Sequence, residues 1–201
     1  MSLHPMWYST IFGVYYFAGC VVGFLSLLVL FSTGLQRSGI LKRAITPEHY
    51  HDIGKLLFAF VMFWAYIAFS QYMLIWYANI PEETAWFHVR QNGGWGWVAT
   101  ILIFGHFIIP FGGLMSRQMK RRTSLLRFWA IWLLLMHYID LYWVVMPEWS
   151  PDRVPLHLVD LGCFLGMLAL FVGGMALMAK GRILIPRKDP RLAESLVFEN
   201  L

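Results

Sequence analysis

Apolar residues run along this chain in long unbroken stretches, and those stretches predict its elements. Residues Pro5 to Gln36 hold no charged side chain. A helix that crosses lipid needs roughly 20 mostly apolar residues, so a first span is predicted at Tyr8–Ser32. Leu56–Ile80, Trp95–Ser116 and Leu156–Ala179 predict three more, the last interrupted only by His157 and Asp160 near its start. Phe128–Pro147, interrupted only by His137 and Asp140, completes a set of five. Unbroken runs of this length suit helices, because barrel strands alternate lipid-facing and lumen-facing residues over shorter segments. The predicted fold is an all-α integral membrane bundle of five transmembrane helices. Residues 1–32 carry the first span, 33–55 a loop, 56–179 spans two to five, and 180–201 a tail.

Composition agrees, with 59% hydrophobic and 13% charged residues against about 25% charged in a typical soluble domain. The net charge of +5 does not indicate nucleic acid, because the basic residues lie between apolar runs instead of covering one polar surface. It does orient the chain, since short loops rich in Lys and Arg stay in the cytoplasm. Arg37, Lys42, Arg43 and Lys55 follow span one. Arg117, Lys120, Arg121, Arg122 and Arg127 follow span three, and Lys180, Arg182, Arg187, Lys188 and Arg191 lie in the tail. Only Arg90 and Arg153 fall on the other side, so the N-terminus is expected outside and the C-terminus in the cytoplasm. No Lys or Arg precedes the first apolar run and no small-residue cleavage site closes it, which reads as a span and not a leader.

Local signals refine this picture. Thr46 is a candidate N-cap with Pro47 at the first helical position, predicting a short interfacial helix inside the 33–55 loop, with His49 and His51 solvated. Trp7, Tyr8, Trp76, Tyr77, Trp95, Trp97, Tyr142, Trp143 and Trp149 fall at the outer helix ends, where such rings anchor at headgroup level. Gly19 and Gly23, and Gly162, Gly166, Ala169 and Gly173, form small-residue stripes expected at helix contacts. Cys20 and Cys163 show no CxxC pattern, which gives no support to a metal knuckle or covalent haem, and both are expected as buried apolar filler. Tyr66 and Gln71 are expected to face the bundle.

Candidate chemistry lies in the ionisable residues of the spans, because an Asp at a helix centre costs about 2.5–3.5 kcal/mol on the insertion scale. His106 falls near the middle of span three and His137 near the middle of span four, with Asp140 one turn further out. His157 and Asp160 fall at the outer part of span five. Each His–Asp pair is three residues apart and shares a helix face. Ordered by depth, His157, Asp160, Asp140, His137 and His106 form an expected proton half-channel from the outside to mid-membrane. The plain alternative is that each pair is a hydrogen bond tethering helices. Pro110 lacks an N–H and is expected to free the carbonyl of His106 four residues earlier. No catalytic residue and no metal site are expected.

Three stretches carry a resemblance: MSLHPMWYSTIFGVY at 1–15, DIGK at 52–55 leading to QYMLIWYANIPEET at 71–84, and DPRLAESLVFEN at 189–200. With these, essentially the whole chain resembles the C-terminal half of the F subunit of alternative complex III. That complex is a bacterial quinol:electron-acceptor oxidoreductase, and the subunit belongs to the NrfD/PsrC-like membrane proteins. The resemblance implies a multi-pass subunit of the bacterial cytoplasmic (inner) membrane. Its implied partners are a related NrfD-like quinol subunit, a multihaem cytochrome c and an iron–sulfur protein. Quinol, haem c and iron–sulfur clusters would belong to those partners, with no cofactor in this chain. The family subunit has more spans, so the chain is expected to be a portion of it or one product of a split gene. Two other functions fit the residues: a haem-b cytochrome subunit with His106 and His137 as axial ligands, and part of a secondary transporter.

Overall fold

A computed structural model of the chain describes residues 3–42, 44–155, 157–182, 184–185 and 188–198. Among them every regular element is a helix. Five helical stretches are long and apolar enough to cross a membrane: Thr10–Arg37, Pro47–Ala78, Trp95–Met115, Thr123–Glu148 and Leu158–Ala179. The first two are α1 (Thr10–Arg37) and α2 (Pro47–Ala78), followed by a short α3 (Pro81–Gln91). The third span is composite: α4 (Trp95–Leu102), a π-helical segment (Ile103–Ile108) and α5 (Ile109–Met115). After α6 (Arg117–Arg121) come α7 (Thr123–Val145), a 3-10 turn (Met146–Glu148), α8 (Leu158–Ala179) and α9 (Leu192–Leu196).

Capping chemistry, and not the edge of the apolar run, sets the helix ends. α2 starts at Pro47, where Thr46 Oγ1 and His49 Nδ1 lie 2.8 Å apart. The helix expected in the 33–55 loop is therefore the first turns of α2 itself. α2 stops where Asn79 turns left-handed at φ 50° and Pro81 begins α3, since proline cannot continue the preceding hydrogen-bond ladder. His51 is buried, not solvated, because this extension of α2 packs against α6, where Arg121 also pairs with Glu48.

α1 lies along both α2 and α7, with Val22, Val29, Leu57, Val61 and Leu133 fully buried between them. Lipid is as apolar as these side chains, so close fit between helices, and not the hydrophobic effect, holds such a contact. The fit is tightest at Gly113, where an added Cβ would lie 1.8 Å from Cζ2 of Trp129 and 2.4 Å from its Cη2. Gly113→Ala is therefore expected to cost about 1–3 kcal/mol by overpacking. The shorter ring of Trp129→Phe in the same chain should recover most of that loss. Thermal unfolding of the two single variants and the double in detergent checks this, and additive losses would mean the two residues are not coupled.

Several expectations are corrected by where the helix faces point. Gln71 is buried, but Tyr66 is 66% exposed. Five residues at 3.6 per turn place them well round the helix from each other, so they cannot share a face. Cys20 and Cys163 are both exposed on the bundle surface, since an apolar residue is equally at home facing lipid. Trp7 and Trp95 are core residues and not belt anchors, and the Trp95 indole donates to the Ser150 carbonyl at 2.9 Å. No residue of α8 is buried. Gly162, Gly166 and Gly173 have no atom within 4 Å of where a Cβ would sit, so this stripe packs against none of the described residues. Phe164 against Tyr138, ring centroids 4.6 Å apart, is the ring contact that ties α8 to α7.

Candidate mid-membrane polar site

Four of the membrane-length stretches bring polar groups together inside the bundle. On α7, His137 and Asp140 share the face that meets α1, and on α1 that contact runs through Tyr15, Gly19 and Gly23 at four-residue intervals. The two helices are antiparallel, so Tyr15 meets Asp140 while the glycines meet His137. The Tyr15 hydroxyl donates to Asp140 Oδ1, and the Trp64 indole N–H of α2 donates to Oδ2 at 3.2 Å. Asp140 is only 2% exposed. Its two oxygens thus take neutral donors from two other helices.

His137 fills the space that the glycines leave. A Cβ on Gly19 would lie 2.9 Å from its Cε1, and one on Gly23 3.1 Å from its Cδ2. Gly19 and Gly23 thus form a helix contact, as the small-residue stripe predicted, and what it accommodates is a histidine ring. His137 Nδ1 is buried without a hydrogen-bond partner among the described residues. The shared face of His137 and Asp140 thus produces no bond between them, because Tyr15 and Trp64 occupy the carboxylate.

His106 enters from the third span. It is fully buried and sits inside the π-helical segment Ile103–Ile108, a widened turn often found at functional sites. Its ring lies 4.0 Å from the Trp64 ring and 6.4 Å from that of His137, centroid to centroid. Neither of its ring nitrogens has a hydrogen-bond partner among the described residues. The π pairing also moves the effect of Pro110. Ile109 N–H bonds to the Phe104 carbonyl, five residues back, so in the same pairing Pro110 withholds a donor from the Gly105 carbonyl. The Gly105 carbonyl is compensated by the Trp132 indole N–H of α7 at 2.7 Å.

His157 and Asp160 lie elsewhere. They occupy the N-cap and third positions of the exposed α8, and the His157 backbone N–H donates to Asp160 Oδ2 at 3.3 Å. This is a helix cap, and no hydrogen bond or ring contact among the described residues joins it to Asp140.

α3 lies across the Tyr15 end of the site. Trp86 stacks on Trp7 with centroids 4.5 Å apart, and the Arg90 guanidinium sits 3.6 Å from the Trp86 ring centroid. Arg90, 1% exposed, donates to the carbonyls of Trp86 and Val144 and to Glu148 Oε1 at 3.0 Å. Burial pushes the guanidinium down to about 10, opposed by the hydrogen bond and charge of Glu148, so it stays a cation at neutral pH. Sequence reasoning missed Tyr15, Trp64 and Arg90. The first two carry no charge to betray them, whereas one of only two arginines on the side poor in basic residues was a signal that could have been followed.

Chemically, the site is a buried carboxylate beside two imidazoles with unfilled nitrogens, which can accept, hold and pass protons. No group of three or more His, Cys, Asp or Glu among the described residues is placed to hold a metal ion. Comparison with protein-family models and with curated protein sequences gives no match to this chain, so its function has to be read from these residues themselves.

Proposed function

We propose that this chain is a proton-handling membrane subunit of a quinol:electron-acceptor oxidoreductase of the alternative complex III kind. It scaffolds its partners in a bacterial cytoplasmic membrane and offers a half-channel to a mid-membrane site. The observation that carries the reading is Asp140, a carboxylate buried in the bundle with only neutral donors, one of which, Trp64, also packs on the ring of His106. Such a group is costly to keep in a membrane and is retained where protonation chemistry is needed. His106, His137 and Asp140 are the core of the half-channel. His157 and Asp160, tied up as a helix cap, mark its outer mouth. An affinity-tagged chain purified from native membranes should bring with it a multihaem cytochrome c, an iron–sulfur protein and a related quinol subunit. Purification without any c-haem partner would overturn the assignment.

A haem-b subunit is the second reading, favoured by two imidazoles with unfilled nitrogens across two helices. It needs a porphyrin between the rings. Beside them, however, the Gly105 carbonyl is bonded to Trp132, and a Cβ on Gly105 would lie 2.5 Å from Met136 Sδ, so the two helices meet directly there. A reduced-minus-oxidised spectrum of the separated polypeptide decides between the readings.

The proposed orientation places the N-terminus outside and residues 38–46 and 116–122 in the cytoplasm, from the one-sided distribution of Lys and Arg. In a background lacking Cys20 and Cys163, Glu82→Cys should react with an impermeant thiol reagent in intact cells and Ser38→Cys only after lysis. The reverse pattern would invert the topology.

A further inference from the structure

At the end of the bundle opposite α3, α1 and α7 border an open groove of about 420 Å³. Along α1 its wall descends from Arg37 through Gly34 to Leu30, and along α7 from Ser124 and Arg127 to Phe128 and Ile131. The α1 positions step by three or four residues and the α7 positions fall at i, i+3, i+4 and i+7, so each series follows one helix face. In both, the polar side chains lie at the mouth and the apolar ones deeper in the bundle. Phe128 and Ile131 are each more than half exposed, so the apolar wall is uncovered.

Among the described residues the two arginines have no counter-charge. No acidic residue occurs before Glu48 or between Glu83 and Asp140, and neither Arg37 nor Arg127 forms an ion pair among the described residues. Among the described residues, Arg127 donates to the Thr123 carbonyl and Ser124 Oγ, at 3.4 Å each. Ser124 accepts in that bond, leaving its own proton to donate. The N–H groups at the first two positions of α7, Thr123 and Ser124, have no helix partner by geometry and add positive potential at the same place.

We propose that this groove binds one anionic phospholipid. Its phosphate sits between Arg37 and Arg127 and accepts the Ser124 proton, and its acyl chains lie on Leu30, Phe128 and Ile131. A soluble anion would use the two cations but leave the apolar wall bare, whereas an amphiphile matches the whole gradient. The site is independent of the proton-handling role, and its failure or success says nothing about Asp140.

Native mass spectrometry of the full chain in detergent, titrated with phosphatidylglycerol, phosphatidylcholine or inorganic phosphate, tests it. One phosphatidylglycerol should bind in preference to phosphatidylcholine. Arg37→Gln with Arg127→Gln should weaken it roughly 30-fold, the combined effect of two cations at a membrane surface. Lys at both positions should retain most of the binding. Gly34→Leu, whose Cβ meets nothing within 4 Å, should block the groove without altering charge or fold. Arg153→Gln at the opposite end should change nothing, and circular dichroism of each variant confirms folding. Equal binding of the two lipids, unchanged affinity in both the Gln and Leu variants, or displacement of the lipid by millimolar phosphate would each overturn the proposal.

Discussion

Asp140→Asn is expected to slow proton transfer through the intact complex by about 100-fold or more, the contribution that a positioned acid–base group commonly makes. Asparagine keeps the shape of the side chain but has no proton to exchange. It also turns an amide NH2 towards one of the two donors that Asp140 now accepts, Tyr15 or Trp64. Interhelical hydrogen bonds in bilayers are worth only about 0.6–1.7 kcal/mol, so the accompanying loss of stability should be small enough for assembly. Tyr15→Phe serves as the structural comparison, since it removes one of the same hydrogen bonds and leaves the carboxyl in place. Complex reconstituted in proteoliposomes, driven by quinol oxidation and followed with a pH-sensitive dye, gives the readout. If Asp140→Asn and Tyr15→Phe lose the same modest amount, or if Asp140→Asn shows normal turnover and a normal proton-to-electron ratio, Asp140 is a tether between helices and the proton-handling role is lost.

Arg90→Met is expected to lower stability by about 3–5 kcal/mol, because removing one partner of a buried ion pair strands the other. Glu148 would lose its cation, and the carbonyls of Trp86 and Val144 would lose their donor. The partial exposure of Glu148 places the effect towards the lower end of that range. The cost of desolvating both charges makes the pair itself a weak contributor, so Arg90→Met with Glu148→Leu should recover much of the loss. Thermal unfolding measures both variants, and hydrogen exchange should show α3 opening in the single one. A fully stable Arg90→Met protein with a protected α3 would show that the stacked Trp7 and Trp86 hold this segment without the ion pair.

The five spans were legible from the sequence because length and apolarity are what lipid selects, and both are properties of a continuous segment. The residues that stand out in those spans, His106, His137 and Asp140, were legible for the same reason: an ionisable group is anomalous wherever an apolar one is the rule. Gly19 and Gly23 were legible as a close-contact stripe. Which face of each helix meets its neighbours was not legible, because inside a bilayer the core and the solvent are equally apolar and hydrophobic periodicity loses its meaning. Tyr66, Cys20 and Cys163, and the glycine stripe of α8 were misplaced on that account, whereas Gln71 does face the bundle. Tertiary structure alone decided the partners at the site. Whether Asp140 reaches His137 three residues away or Tyr15 across 125 positions depends on how α1 docks against α7. The π-helical turn that brings the Gly105 carbonyl into register with Pro110 likewise sits where the third span packs against Trp132 and Met136, a contact between distant segments that no local pattern encodes.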